Sequence, residues 1–147
     1  MTTLVVDTGQ NLVGVFSVEE QIYVPYRGAE ILIALQRITE ADEVVTYNGK
    51  NYDLKELGRF AGLDGDLALR GIHSDMRSIC WSDRIWGKNL GSTFAMQFES
   101  HPDFPDTHEG SNKLDIYMTF QLWQAWKAGK LTILDGGRIA QPATDPA

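Results

Sequence analysis

A single cysteine, Cys80, occurs in the 147 residues. One thiol closes no internal disulfide, so the fold must rest on a packed core, and the composition fits a reducing cytoplasm. The same scarcity argues against a Cys/His zinc site, because His73, His101 and His108 show no ligand spacing with Cys80. Basic residues are also few: 13 Lys and Arg against 20 Asp and Glu leave a net charge of -7. That balance opposes a protein that grips nucleic acid through broad basic contacts. It suits an enzyme whose carboxylates are partly neutralised by bound metal ions. No apolar run approaches a membrane span, and no secretory pattern opens the chain. The expectation is a cytoplasmic location with no membrane partner.

What remains is ample for one domain with a real core. Hydrophobic residues make up 43% and charged residues 22% of the chain. Read in order, Leu4 to Asp7 is a strand and Gly9-Gln10-Asn11 a turn. Leu12 to Val18 is a second strand and Gln21 to Tyr26 a third, with Pro25 marking an edge. The short turns imply an antiparallel meander. A helix follows over Ala29 to Ile38, with Ile31, Leu35 and Ile38 on one face. Ile72 to Cys80 reads as a strand leading into a helical start, and Leu90 to Phe98 as a helix. His101 to Ser111 reads as a polar loop with Pro102 and Pro105. Leu114 to Ala128 is the strongest helical pattern, stopped by Gly129. The boundaries expected are a domain over 1–135 and a Gly/Pro-rich tail over 136–147.

Between the first helix and the Ile72 strand lies the stretch around which the chain is organised. Val44-Val45-Thr46 is a β-branched run typical of a buried strand, and Asn48-Gly49 is a turn pair that tolerates positive φ. A helix then starts near Asn51, with Leu54, Leu57 and Ala61 at helical spacing. Asp53 therefore falls in a first helical turn at the carboxyl end of a buried strand, where open α/β sheets place their ligands. An acid there also has a plainer use, since it complements the helix dipole.

The run Tyr47-Asn48-Gly49-Lys50-Asn51-Tyr52-Asp53-Leu54, with Leu57, resembles the second motif of DEDD-type 3′–5′ exonucleases of the ribonuclease H-like superfamily, in the form found in the exonuclease domains of family-B polymerases. Leu122 to Lys130 and Gly136-Gly137-Arg138 resemble the end of the same branch, so the likeness spans roughly residues 1 to 140. It implies an α/β fold with a central mixed sheet, three antiparallel strands followed by parallel ones, and helices on both faces. It also implies a two-metal phosphodiesterase that uses Mg²⁺ or Mn²⁺ and acts on single-stranded ends of DNA or RNA. Two-metal hydrolysis needs several carboxylates around ions about 4 Å apart. By the resemblance Asp7 takes the place of the first-strand acid, Asp53 that of the second motif and Asp115 that of the last-helix acid. Asn48, Lys50 and Tyr52 would lie against nucleic acid.

Two departures stand out. The family has a Glu two residues after the first Asp; this chain has Gly9. The family's water-positioning Tyr or His would fall at Ser111 or Gly110, and neither matches. His108 and Glu109 lie just upstream as displaced substitutes for the base. Asp75, in His73-Ser74-Asp75, reads as an architectural, hydrogen-bonded acid, and Trp81, Trp86, Trp123 and Trp126 as core before base-stacking platforms. Two functions follow: an exonuclease-like nuclease, weakened or inactive for want of the Glu and the base, or a catalytically inactive binding or regulatory module of the same fold. A third reading starts from Asp7-Thr8-Gly9, which also fits the Asp-Thr-Gly of aspartic proteases, nearly all-β enzymes. Asp7, Gly9 and Gly14 loosely fit the phosphate loop of actin-like ATPases, whose two lobes need a longer chain.

Overall fold

The computed structural model describes residues 1–81, 88–135 and 138–139. Strands β1 (Thr3–Gly9), β2 (Leu12–Ser17) and β3 (Ile22–Arg27) form the expected meander. A 3-10 turn over Gly28–Glu30 leads into α1 (Ile31–Glu40). Then come β4 (Glu43–Thr46), α2 (Asp53–Phe60), β5 (Ile72–Asp75), α3 (Met76–Trp81), α4 (Leu90–Phe98) and α5 (His108–Lys127). The five strands make one mixed sheet in the order β3-β2-β1-β4-β5. β1 runs antiparallel to β2 and parallel to β4, and β4 runs parallel to β5. Pro25 therefore sits on an edge strand, where its missing N–H breaks no ladder on the open side. The helical content does not fit the nearly all-β architecture of the protease reading.

Side-chain alternation on the central strands builds two cores. Leu4, Val6, Val13, Val15 and Val44 face α1 and α2, meeting Ile38 and Leu57. Val5 and Val45 point the other way, to Met76 on α3 and Ile116 and Leu122 on α5. The strands thus read as continuous apolar runs because both faces are covered. Trp81 belongs to the second core, with Trp123 and Trp126 packed against it. Trp86 lies outside the described residues. Cys80 is fully buried there, and burial pushes its thiol up to about 12.

Three boundaries differ from the sequence reading. α5 begins at His108, so the polar loop ends at Thr107 and Asp115 lies two turns inside the helix, not in its first turn. Thr107 caps it, its side chain accepting a hydrogen bond from the Gly110 N–H. α2 begins at Asp53 after a turn over 49–52, and Ala61, its C-cap, is exposed instead of on the buried face. Of the expected tail, Arg138–Ile139 pairs antiparallel with Leu134–Asp135 as strands β7 and β6; residues 136–137 and 140–147 lie outside the described residues. No helix among the described residues is long and apolar enough to cross a membrane.

Leu57, 0% exposed between sheet and helix, tests the first core. Leu57→Ala should lower unfolding free energy by about 2–5 kcal/mol, read from urea denaturation, through lost burial plus the cavity left.

Candidate functional site

The parallel arrangement brings the carboxyl ends of β1, β4 and β5 to one side of the sheet. Asp7 comes from the end of β1, Asp53 from the start of α2 after β4, and Asp115 from α5, which packs across the sheet. The three are electrostatic neighbours, and the Asp7 and Asp115 side chains share a hydrogen bond. Acids separated by 46 and 62 positions in the chain (53 − 7 and 115 − 53) thus meet.

Each acid is positioned by groups whose purpose is plain only in three dimensions. Thr8 donates to Asp53 Oδ1 twice, from its backbone N at 3.1 Å and its Oγ1 at 2.6 Å. Asn112, buried on α5, donates through Nδ2 to the Asp7 carbonyl at 3.0 Å and to Asp7 Oδ2 at 3.2 Å. Its own Oδ1 accepts from the Tyr23 hydroxyl at 2.7 Å. That close approach requires Gly14 on β2, since a Cβ there would stand 1.7 Å from Asn112 Oδ1. Sequence reasoning missed Asn112 and Thr8. The only trace of the first is an Asn one turn before Asp115 on an amphipathic helix.

The loop between β4 and α2 is fixed as tightly. Asn48 takes the positive φ of 68°. Gly49 is needed because a Cβ would lie 2.2 Å from Thr46 Oγ1. Thr46 Oγ1 accepts from Gly49 N at 3.1 Å and pairs with His73 Nε2 at 2.7 Å. Asp75 is the architectural acid its sequence context indicated: its oxygens accept from the backbone N–H groups of Asn48, Lys50 and Arg77 at 2.7, 3.1 and 3.0 Å.

The other candidates separate. His108 is exposed and lines a small cavity of about 170 Å³ together with Asp7, Asn112 and Asp115. Glu109 does not line it; its Oε1 accepts from Arg27 at 2.9 Å at a neighbouring surface hollow. Asn48 lines a second cavity beside Asp7 and Asp115, whereas Lys50 and Tyr52 are exposed and line neither.

Burial is the leading reason that all three acids resist ionisation. It carries Asp53 to about 7 against the pull of the Thr8 hydrogen bonds, and Asp115 to about 6. Asp7 is raised well above its usual range, first by burial and then by the charges of Asp53 and Asp115, so the Asp7–Asp115 pair holds on to a proton. Among the described residues no three His, Cys, Asp or Glu side chains stand ready-grouped around one metal position. As a donor set, three carboxylates supply the hard oxygens that Mg²⁺ and Mn²⁺ prefer. Taking such an ion would mean giving up the Asp7–Asp115 hydrogen bond and its proton.

These raised values set the sign of a pH effect. Below about 4 the acids are protonated folded and unfolded alike. As pH rises towards 7 the unfolded chain loses protons that the folded cluster retains, so stability contributed by the cluster falls. Asn at position 53 keeps an acceptor for Thr8 and carries no charge. In metal-free buffer Asp53→Asn should therefore melt at a higher temperature than the wild type at pH 7.5, and the gap should shrink steadily towards pH 4.5. A gap that is constant or widens on acidification would contradict the assignment.

No protein-family model matches the chain, and no curated protein matches it.

Proposed function

We propose that this chain is a metal-dependent 3′–5′ exonuclease-like phosphodiesterase of ribonuclease H-like fold, acting on single-stranded ends of DNA or RNA. The observation that carries the reading is the meeting of Asp7, Asp53 and Asp115 at the carboxyl side of the parallel strands. The strand order β3-β2-β1-β4-β5, antiparallel then parallel, supports the fold assignment. The likeness of the 47–57 stretch to the second DEDD motif supports the chemistry.

Asp7, Asp53 and Asp115 would hold Mg²⁺ or Mn²⁺. Bound ions would supply a nucleophile at neutral pH and stabilise charge on the leaving oxygen. The chain's own part is to gather and orient the acids. Thr8 holds one oxygen of Asp53, leaving the other for a ligand. Asn112 fixes the Asp7 carboxylate from the α5 side. His108, at the rim of the Asp7–Asp115 cavity, is the side chain best sited to receive a proton from water, and its exposure lets it exchange that proton with solvent. Glu109 is turned to Arg27 and would need to leave that pair to take part.

A second reading, a catalytically silent binding or regulatory module of the same fold, is favoured by Gly9. A Cβ at position 9 meets nothing within 4 Å, so close packing at that point does not demand a glycine, and yet the acid is missing.

Both readings meet one experiment. The wild type should shorten 5′-labelled single strands from the 3′ end in Mn²⁺ or Mg²⁺ and not in EDTA. Asp53→Asn should reduce the rate on the order of 100-fold or more, beyond the 10–100-fold typical of losing an outer-shell partner of a metal. Digestion that survives Asp53→Asn defeats the assignment. Gly9→Glu should raise the metal-dependent rate; a wild type that digests nothing while Gly9→Glu does would identify the silent module.

A further inference from the structure

Beside the acids lies a cavity of about 360 Å³ whose lining carries both signs of charge. Asp7 and Asp115 line it together with Arg77, Lys88, Asn48 and Asn89. In a chain of net charge -7, two cations lining the same cleft as two carboxylates bring it to formal balance, a local departure from the overall acidity.

The basic side is held by the same loop that presents Asp53. Asp75 accepts from the backbone N–H groups of Asn48 and Arg77, so the β4–α2 turn and the start of α3 are locked to one carboxylate. The Lys88 backbone is tied to the end of β4, because the Tyr47 hydroxyl donates to its carbonyl. Tyr47 also pairs with Thr93 Oγ1 at 2.7 Å, and Trp81 Nε1 donates to the same oxygen at 3.0 Å. Burial raises the Tyr47 phenol, so it keeps its proton and remains a donor. The cavity's volume is at the lower end for small-molecule sites, and suits one nucleotide-sized group rather than a duplex.

We propose that Arg77 and Lys88 form the phosphate-binding wall of this cleft, holding the backbone of a single-stranded nucleic acid end with one nucleotide unit against Asp7 and Asp115. The proposal rests on the phosphodiesterase reading and specifies its substrate contacts. Arg77 offers a planar fork matched to phosphate oxygens, and Lys88 an exposed ammonium. The amide oxygens of Asn48 and Asn89 accept from Asn51 Nδ2 and Ser92 N, which leaves their NH2 groups as the donors for sugar or base edges. A single strand can thread one unit into such a space; a paired end must fray first.

The test is anisotropy of a 5′-fluorescein ten-nucleotide oligothymidylate in Ca²⁺, with strand integrity followed on gels. Arg77→Gln and Lys88→Gln should each raise Kd roughly 3- to 10-fold and flatten log Kd against log salt by about 0.7 per cation removed. Arg77→Lys should recover part of the affinity. Lys55→Gln, which makes the same charge change on the exposed face of α2, should leave Kd within about twofold. Lys88→Gln alters an exposed side chain, so its result stands even if Arg77→Gln fails to fold. A Lys88→Gln protein that binds like the wild type, or a wild type that does not bind the strand, overturns the proposal. Separate Mn²⁺ digestions keep the two claims apart. Tight binding through Arg77 and Lys88 with no digestion sinks only the hydrolase; digestion with KM unchanged in both variants sinks only the wall.

Discussion

Two hydrogen bonds from Thr8 to one oxygen of Asp53 join the end of β1 to the start of α2 across 45 positions of chain. They let a carboxylate sit 1% exposed beside two others. Without them Asp53 would face the full cost of a buried, unpaired charge. The acids repel, burial weakens solvent screening of that repulsion, and the surrounding polar groups hold the arrangement against it. A fold that tolerates such a cluster gives up stability at one end of the sheet, and functional sites are where that is usually found.

The tolerance depends on an otherwise apolar frame. β1 is central, paired on both edges and covered on both faces, so its end is a rigid platform. Asn112 reaches Asp7 from α5 only because Gly14 has no side chain and Tyr23, on the edge strand, anchors the far end of the amide. Backbone, helix and meander thus converge on the same carboxylates from three directions. At the other end of β4, Glu43 is equally buried, yet Ser74 Oγ and Trp123 Nε1 donate to it at 2.7 and 3.0 Å. Glu43 has two neutral donors on one oxygen and the Lys127 ammonium 3.9 Å from the other, whereas the Asp7 group consists of mutual neighbours of like charge.

Much of the scaffold was legible because its signals are local. β-branched runs, Asn48-Gly49, Pro25 at an edge and Gly129 after the last helix each have a mechanism that works within a few residues. The positions of Asp7 and Asp53 relative to strand and helix ends could be read from the same patterns, whereas Asp115 lies two turns deeper in its helix than they indicate. The start of α5 could not: His108-Glu109-Gly110-Ser111 carries no apolar period and includes a glycine, and only the Thr107 cap and packing on the sheet make it helical. Thr8 and Asn112 were invisible for a different reason. Their partners are 45 and 105 residues away, and neither side chain advertises a distant hydrogen bond. The Arg77–Lys88 wall was hidden by averaging, since bulk charge pointed away from any basic surface while two cations sufficed to line one cleft.

The lone thiol of Cys80 lies in the second core with its ionisation suppressed. Only the thiolate reacts quickly with alkylating reagents, and only an opened molecule exposes it. Modification of this one atom therefore clocks the excursions by which α3 leaves the sheet, turning an inert core residue into an internal gauge of how often that side of the molecule opens.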